Sequence, residues 1–260
     1  MTLPLRLPTA GLLLLAAGTL IAADPPYAGK WKFNPAKSDF GEATVTFAQT
    51  PSGEMQVTAD GQSYTFKTDG KDYPAFFGAT ASWKQIDANT WETTDKLNGK
   101  VTGVNTIRLS PDGKALTMES KGKKPNGESF DDTTVYQRVS GAAGIAGNWK
   151  TKNIKVSSPG LMEFVPEGAD GLTLNILDQN ATCKARFDGK DYPISGPQMP
   201  PNFTLAFKKT GPQSFDMSVK NNGKPAYMST YTVSADGKTL TENSSAVGVS
   251  EKYKVVYDKQ

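Results

Sequence analysis

The 260-residue chain contains no histidine and one cysteine, Cys183. Without imidazole it lacks the usual neutral-pH general base, the Ser-His and Cys-His nucleophile pairs and the common zinc sites. A lone thiol leaves no internal disulfide, so stability must come from buried core. Nothing beside Cys183 in the sequence activates it, and it reads as buried and inert. Arginine is scarce as well: Arg6, Arg108, Arg138 and Arg186 are the only four among 29 basic residues. With 26 acids opposing them the formal net charge is +3, whereas a nucleic-acid binder carries a large basic excess with arginine prominent. Nucleic acid is therefore not an expected partner. Gly-x-Ser-x-Gly, the phosphate-cradling glycine loop and the dinucleotide fingerprint are also missing, and neither a cofactor nor a metal site is expected.

Long apolar runs are confined to the start. Arg6 is the only charge before Asp24, the run from Gly11 to Ile21 is apolar, and Ala22 and Ala23 follow. A cationic start, a short apolar middle and a small-residue exit describe a secretion signal over residues 1–23; a retained N-terminal anchor is the alternative. Beyond Asp24 no apolar stretch is long enough for a membrane span. The mature chain is expected to be soluble and exported, to the periplasm or the medium. Its roughly 235 residues suffice for one large or two small domains.

The rest of the sequence is one unit written twice. Gly29-Lys30-Trp31 returns as Gly147-Asn148-Trp149, and Asp69-Gly70-Lys71-Asp72-Tyr73-Pro74 as Asp188-Gly189-Lys190-Asp191-Tyr192-Pro193. Asn98-Gly99-Lys100 returns as Asn222-Gly223-Lys224, Asp112-Gly113-Lys114 as Asp236-Gly237-Lys238, and Val135-Tyr136 as Val256-Tyr257. The offsets are 118, 119, 124, 124 and 121 residues, and five matches in one order imply duplication. The expected division is repeat 1 over residues 24–139, a small-residue linker over 140–146 and repeat 2 over 147–260.

Within each unit, segments rich in Thr, Val and aromatics alternate with Asn-Gly and Asp-Gly punctuation, which is the hairpin signal. The fold class expected is all-β: two tandem antiparallel up-and-down meander barrels of about eight strands each, closed to remove their edges. A single sheet shared by both copies is the alternative architecture.

The opening Gly-x-Trp, the run of short hairpins and a cation late on the last strand resemble the lipocalin-like superfamily and avidin-type barrels. The repeats are also similar to secreted bacterial lipocalin-like proteins of unassigned role. The resemblance implies that Trp31 and Trp149 plug the closed ends of the barrels with a cation lying across each. By position Arg138 would serve Trp31 and Lys259 would serve Trp149. Lysine stands where the second copy should carry arginine, and no biotin-pocket residue is matched beyond the opening.

The reading that follows is a non-catalytic binding protein with a small apolar ligand inside a barrel. Trp83 and Trp91, with Phe207 and Phe215 at the equivalent positions of copy two, are the candidate lining residues. The rival is an envelope interaction module with solid barrels, contacting partners through the loops at residues 121–127 and 196–201. A carboxylate-pair hydrolase is the third reading, with Asp131-Asp132 the only adjacent acids.

Overall fold

A computed structural model describes residues 24–40, 43–141 and 143–260; the expected signal segment lies outside them. The all-β expectation holds. Twenty strands form two ten-stranded antiparallel sheets, each curled into a nearly closed barrel. The count exceeds the expected eight or so because five- and six-residue segments with weak apolar patterning, such as Gln62–Phe66 and Asp69–Pro74, also enter the ladders. Among the described residues no helix is long and apolar enough to cross a membrane.

The turns follow the sequence chemistry. A type I′ turn needs positive φ at both central residues, and Asn98-Gly99 has φ of 51° and 76°. Asn222-Gly223 and Asp60-Gly61 adopt the same conformation. In the repeated Asp-Gly-Lys-Asp-Tyr-Pro segments the first aspartate accepts the amide N–H of the lysine and the hydroxyl of the tyrosine. The distances are both 3.1 Å for Asp69 and both 3.0 Å for Asp188. These are braced turns, with the carboxylate occupied by its own loop.

The two sheets exchange their first strands. Strand β1 (Gly29–Phe33) pairs with β12 (Leu161–Glu167) and β20 (Tyr253–Lys259), both from the second repeat. Strand β11 (Gly147–Lys155) pairs with β2 (Thr44–Gln49) and β10 (Ser129–Ser140), both from the first. Each barrel is thus nine consecutive strands of one repeat completed by the opening strand of the other. The pairings of β1 and β11 run across the boundary expected at residues 140–146. Between β1 in the second barrel and β2 in the first, the described residues 34–40 include the 3-10 turn Pro35–Lys37, and residues 156–160 lead from β11 in the first barrel to β12 in the second.

The exchange also corrects the expected cation pairing. Arg138 lies 4.1 Å from the ring centre of Trp149, and the Lys259 ammonium lies 5.2 Å from that of Trp31. The register explains it: Arg138 sits opposite Trp149 on the β10–β11 ladder, and Lys259 opposite Trp31 on the β20–β1 ladder. Both tryptophans are fully buried, and each indole N–H donates to the carbonyl four residues before it, Tyr27 or Ile145, at 2.8 Å. The glycine of Gly-x-Trp is required by the same contact. A Cβ at Gly147 would strike the Arg138 guanidinium and the Ser140 carbonyl, and φ there is +145°. Arg138 in turn donates to the carbonyls of Gly113, Gly144 and Ala146, so its charge sits in a fixed cradle over the ring.

Two cores result. One packs Phe47, Phe66, Trp83, Trp91, Ile107 and Trp149, with Phe66 stacked on Trp83 at 4.1 Å. The other packs Trp31, Phe164, Phe207, Phe215, Tyr231 and Leu240, with Phe215 stacked on Tyr231 at 4.9 Å. Offset and stacked aromatic pairs of this kind add about 0.5–1.5 kcal/mol each beyond their area.

Candidate functional sites: two barrel cavities

Neither core fills its barrel. In the first barrel a cavity of about 390 Å³ lies among Phe47, Tyr64, Phe76, Trp83, Ile107 and Tyr136. In the second a cavity of about 450 Å³ lies among Leu161, Met162, Leu174, Leu205, Met217 and Val219. Both volumes are within the range of small-molecule sites. Phe40, on the segment that crosses between the barrels, touches both cavities.

The candidate lining residues separate. Trp83 is on the wall of the first cavity, its indole N–H donating to the Tyr64 hydroxyl at 3.1 Å. Trp91 is buried in the same core but is not among the wall residues. Phe207 and Phe215 are fully buried in the second core and likewise stand away from the second cavity's wall. That wall is built instead by Met217 and Val219, the residues that follow Phe215 on the inward phase of β17 (Ser214–Asn221).

The two cavities differ chemically at equivalent positions. Strand β7 (Thr90–Leu97) turns Trp91, Thr93, Asp95 and Leu97 inward; β17 turns Phe215, Met217, Val219 and Asn221 to the same side. Asp95 therefore stands where the second barrel has Val219. The Asn105 side-chain amide donates at 2.8 Å to both Asp95 and Thr93. Burial pushes the Asp95 carboxyl above its ordinary range, and the Asn105 hydrogen bond offsets only part of that. Tyr64, across the cavity, is pushed up to about 12 by burial, with the Asp95 charge adding to the shift.

A second carboxylate, Asp60, borders the first cavity. It heads the type I′ turn between β3 (Met55–Ala59) and β4 (Gln62–Phe66) and accepts the hydroxyls of Tyr227, at 3.0 Å, and Tyr253. Both tyrosines belong to the second barrel's sheet, and Tyr253 is itself part of the first cavity's wall. Tyr136 is pushed up to about 12 by burial, with a smaller contribution from the Asp60 charge. The second cavity also borders a carboxylate, Asp178, but that one is neutralised: the Lys124 ammonium lies 3.0 Å away. Burial drives the Asp178 carboxyl up, yet Lys124, the Leu161 N–H and Gln179 together outweigh burial and hold it below its usual range. Glu242, half-buried on β19 (Thr239–Ala246), accepts from Ser229 at 2.7 Å and Tyr257 at 2.9 Å.

The sequence passed over Asp60 and Asp95. Asp60 is hidden in an Asp-Gly pair, which reads as turn punctuation. Asp95 carried a usable signal: an acid on the same period-2 phase as Trp91 and Leu97 points at the core. The loop over residues 121–127, a candidate contact site, is turned onto the second barrel. There Lys124 also donates to the Ser158 carbonyl at 2.6 Å, and the Pro125 carbonyl accepts from Asn180 at 2.9 Å. Asp131 and Asp132 do not converge: Asp131 pairs with Lys121 at 3.1 Å, while Asp132 accepts from the Ser157 amide and hydroxyl. Cys183 is buried, its thiol pushed up to about 11 by desolvation.

No family model and no curated protein matches this chain. Among solved structures, one described as a "putative outer membrane protein" from Bacteroides fragilis aligns over 90% of this chain and 98% of its own at 12% identity. Its TM-score is 0.17, too low to carry an argument about fold or role.

Proposed function

We propose that this chain is an exported, non-catalytic, lipocalin-like binding protein that holds a small apolar molecule in a barrel interior. The recess in the second barrel carries the reading: Leu161, Met162, Leu174, Leu205 and Met217 line a mostly apolar, open-mouthed space of about 450 Å³. Charges on the outer faces of the strands, such as the Arg108–Glu119 ion pair at 2.6 Å, suit barrels surrounded by water and not by lipid. The rival module has lost one of its two contact loops to the junction between barrels.

Fluorescence titration with the neutral apolar dye N-phenyl-1-naphthylamine tests the proposal. Saturable binding with one site per chain, abolished by Met217→Trp and unaffected by exchanging surface lysines, is expected. A dye that stays in bulk solution, together with a clean apo mass from native-source protein, would refute it.

A further inference from the structure

The first cavity is not a copy of the second. Two carboxylates border it, Asp60 at the junction side and Asp95 on β7, and among the described residues no lysine or arginine lines it. Neither carboxylate makes an ion pair with a described residue: Asp60 is held by two tyrosine hydroxyls and Asp95 by one amide. The remaining walls are aromatic faces, among them Phe47, Tyr64, Phe76, Trp83 and Tyr136. A partly buried carboxylate without a cation is costly to keep charged, and the duplicated barrel shows an apolar alternative, since it has valine where Asp95 stands. Aromatic faces attract cations through their negative π surface. One class of molecule satisfies all of these groups together: a compact apolar body bearing a single positive charge.

We propose that the first barrel binds a small organic cation, a primary or quaternary amine on an aromatic or short aliphatic body, with its charge directed at Asp95 and its body against Trp83 and Tyr64. The inference rests on the reading of these barrels as binding proteins and sharpens it for one cavity. Asp95 supplies the charge partner and Asn105 orients it; Asp60 adds negative potential from the junction side. A volume of about 390 Å³ suits a ligand of roughly ten to fifteen heavy atoms. In the neighbouring cavity the bordering carboxylate, Asp178, is already paired to Lys124.

The test is calorimetric titration of the mature protein with phenethylamine, its neutral counterpart phenethyl alcohol and the anion 3-phenylpropionate. The amine should bind at least about tenfold more tightly than the alcohol, with the anion weakest. Asp95→Asn should bring amine and alcohol to within about twofold while leaving binding of the neutral dye in the second barrel intact. The dye arm separates the two readings and also shows that the variant is folded. Equal affinity for amine and alcohol in the unaltered protein overturns the cation inference and leaves the apolar-carrier reading standing. Amine preference that survives Asp95→Asn, or no binding of any of the three while the dye still binds, overturns it equally.

Discussion

Replacing Trp31 by alanine should damage the barrel built from the other repeat. Trp31 is fully buried and flanked by paired strands on both sides, so the backbone around it has little freedom to collapse into the space left behind. Large-to-small changes at such sites cost about 3–5 kcal/mol, and the rigid surroundings place this one toward the upper end. The indole hydrogen bond to Tyr27 and the Lys259 contact are lost as well. At about 1.4 kcal/mol per factor of ten, a loss of about 4 kcal/mol raises the population of the locally open state nearly a thousandfold. Amide hydrogen exchange read by mass spectrometry resolves where. Peptides covering residues 205–217, in the core that Trp31 joins, should lose protection; those covering 83–97 should keep most of theirs. Trp149→Ala should give the reverse pattern. If Trp31→Ala instead opens 83–97 first, or both segments equally, the exchanged-strand assignment of the two cores is wrong.

Two further outcomes follow from the junction and from the buried tyrosines. Lys124→Met strands the buried Asp178 charge and should cost about 3–5 kcal/mol in urea unfolding, while adding Asp178→Leu should restore most of that loss; no recovery in the double variant would show that the pair is not what Lys124 supplies. The Tyr64 and Tyr136 hydroxyls are raised from about 10 to about 12, so the folded state holds its protons more tightly than the unfolded chain. Stability is then intact below pH 10 and falls as the pH climbs from 10 to 12, at about 1.4 kcal/mol per pH unit per such tyrosine. Flat unfolding midpoints across that window would contradict the burial of these hydroxyls.

The strands and turns were legible because their signals are local. Asn-Gly and Asp-Gly dictate positive φ, and the inward phase of β7 or β17 can be read two residues at a time. The exchange of first strands was not legible. Gly29-Lys30-Trp31 and Gly147-Asn148-Trp149 present the same edge and the same indole, so either could complete either barrel. What separates them is which ladder each edge joins, a pairing set across more than a hundred residues and carried by no local signal. Trp83 was found on a cavity wall because a large aromatic at the end of a hairpin is conspicuous. The cavities themselves depend on which inward side chains stop short, such as Met217 and Val219, and that is a property of the assembled barrel.

The crossing of β1 and β11 also sets an order of events as the chain is made. A chain synthesised N-terminus first delivers β1 at once, yet its partners β12 and β20 lie more than a hundred residues behind it. The first barrel can seal as soon as β11 emerges at residue 155. Meanwhile β1 has no partner until β12 arrives at residues 161–167, and its other edge stays open until the final strand at residues 253–259. An exposed strand with a large apolar side chain is open to pairing with another molecule. While the chain is incomplete the opening strand therefore keeps an unpaired edge, and the last seven-residue strand closes both the second barrel and that interval of risk.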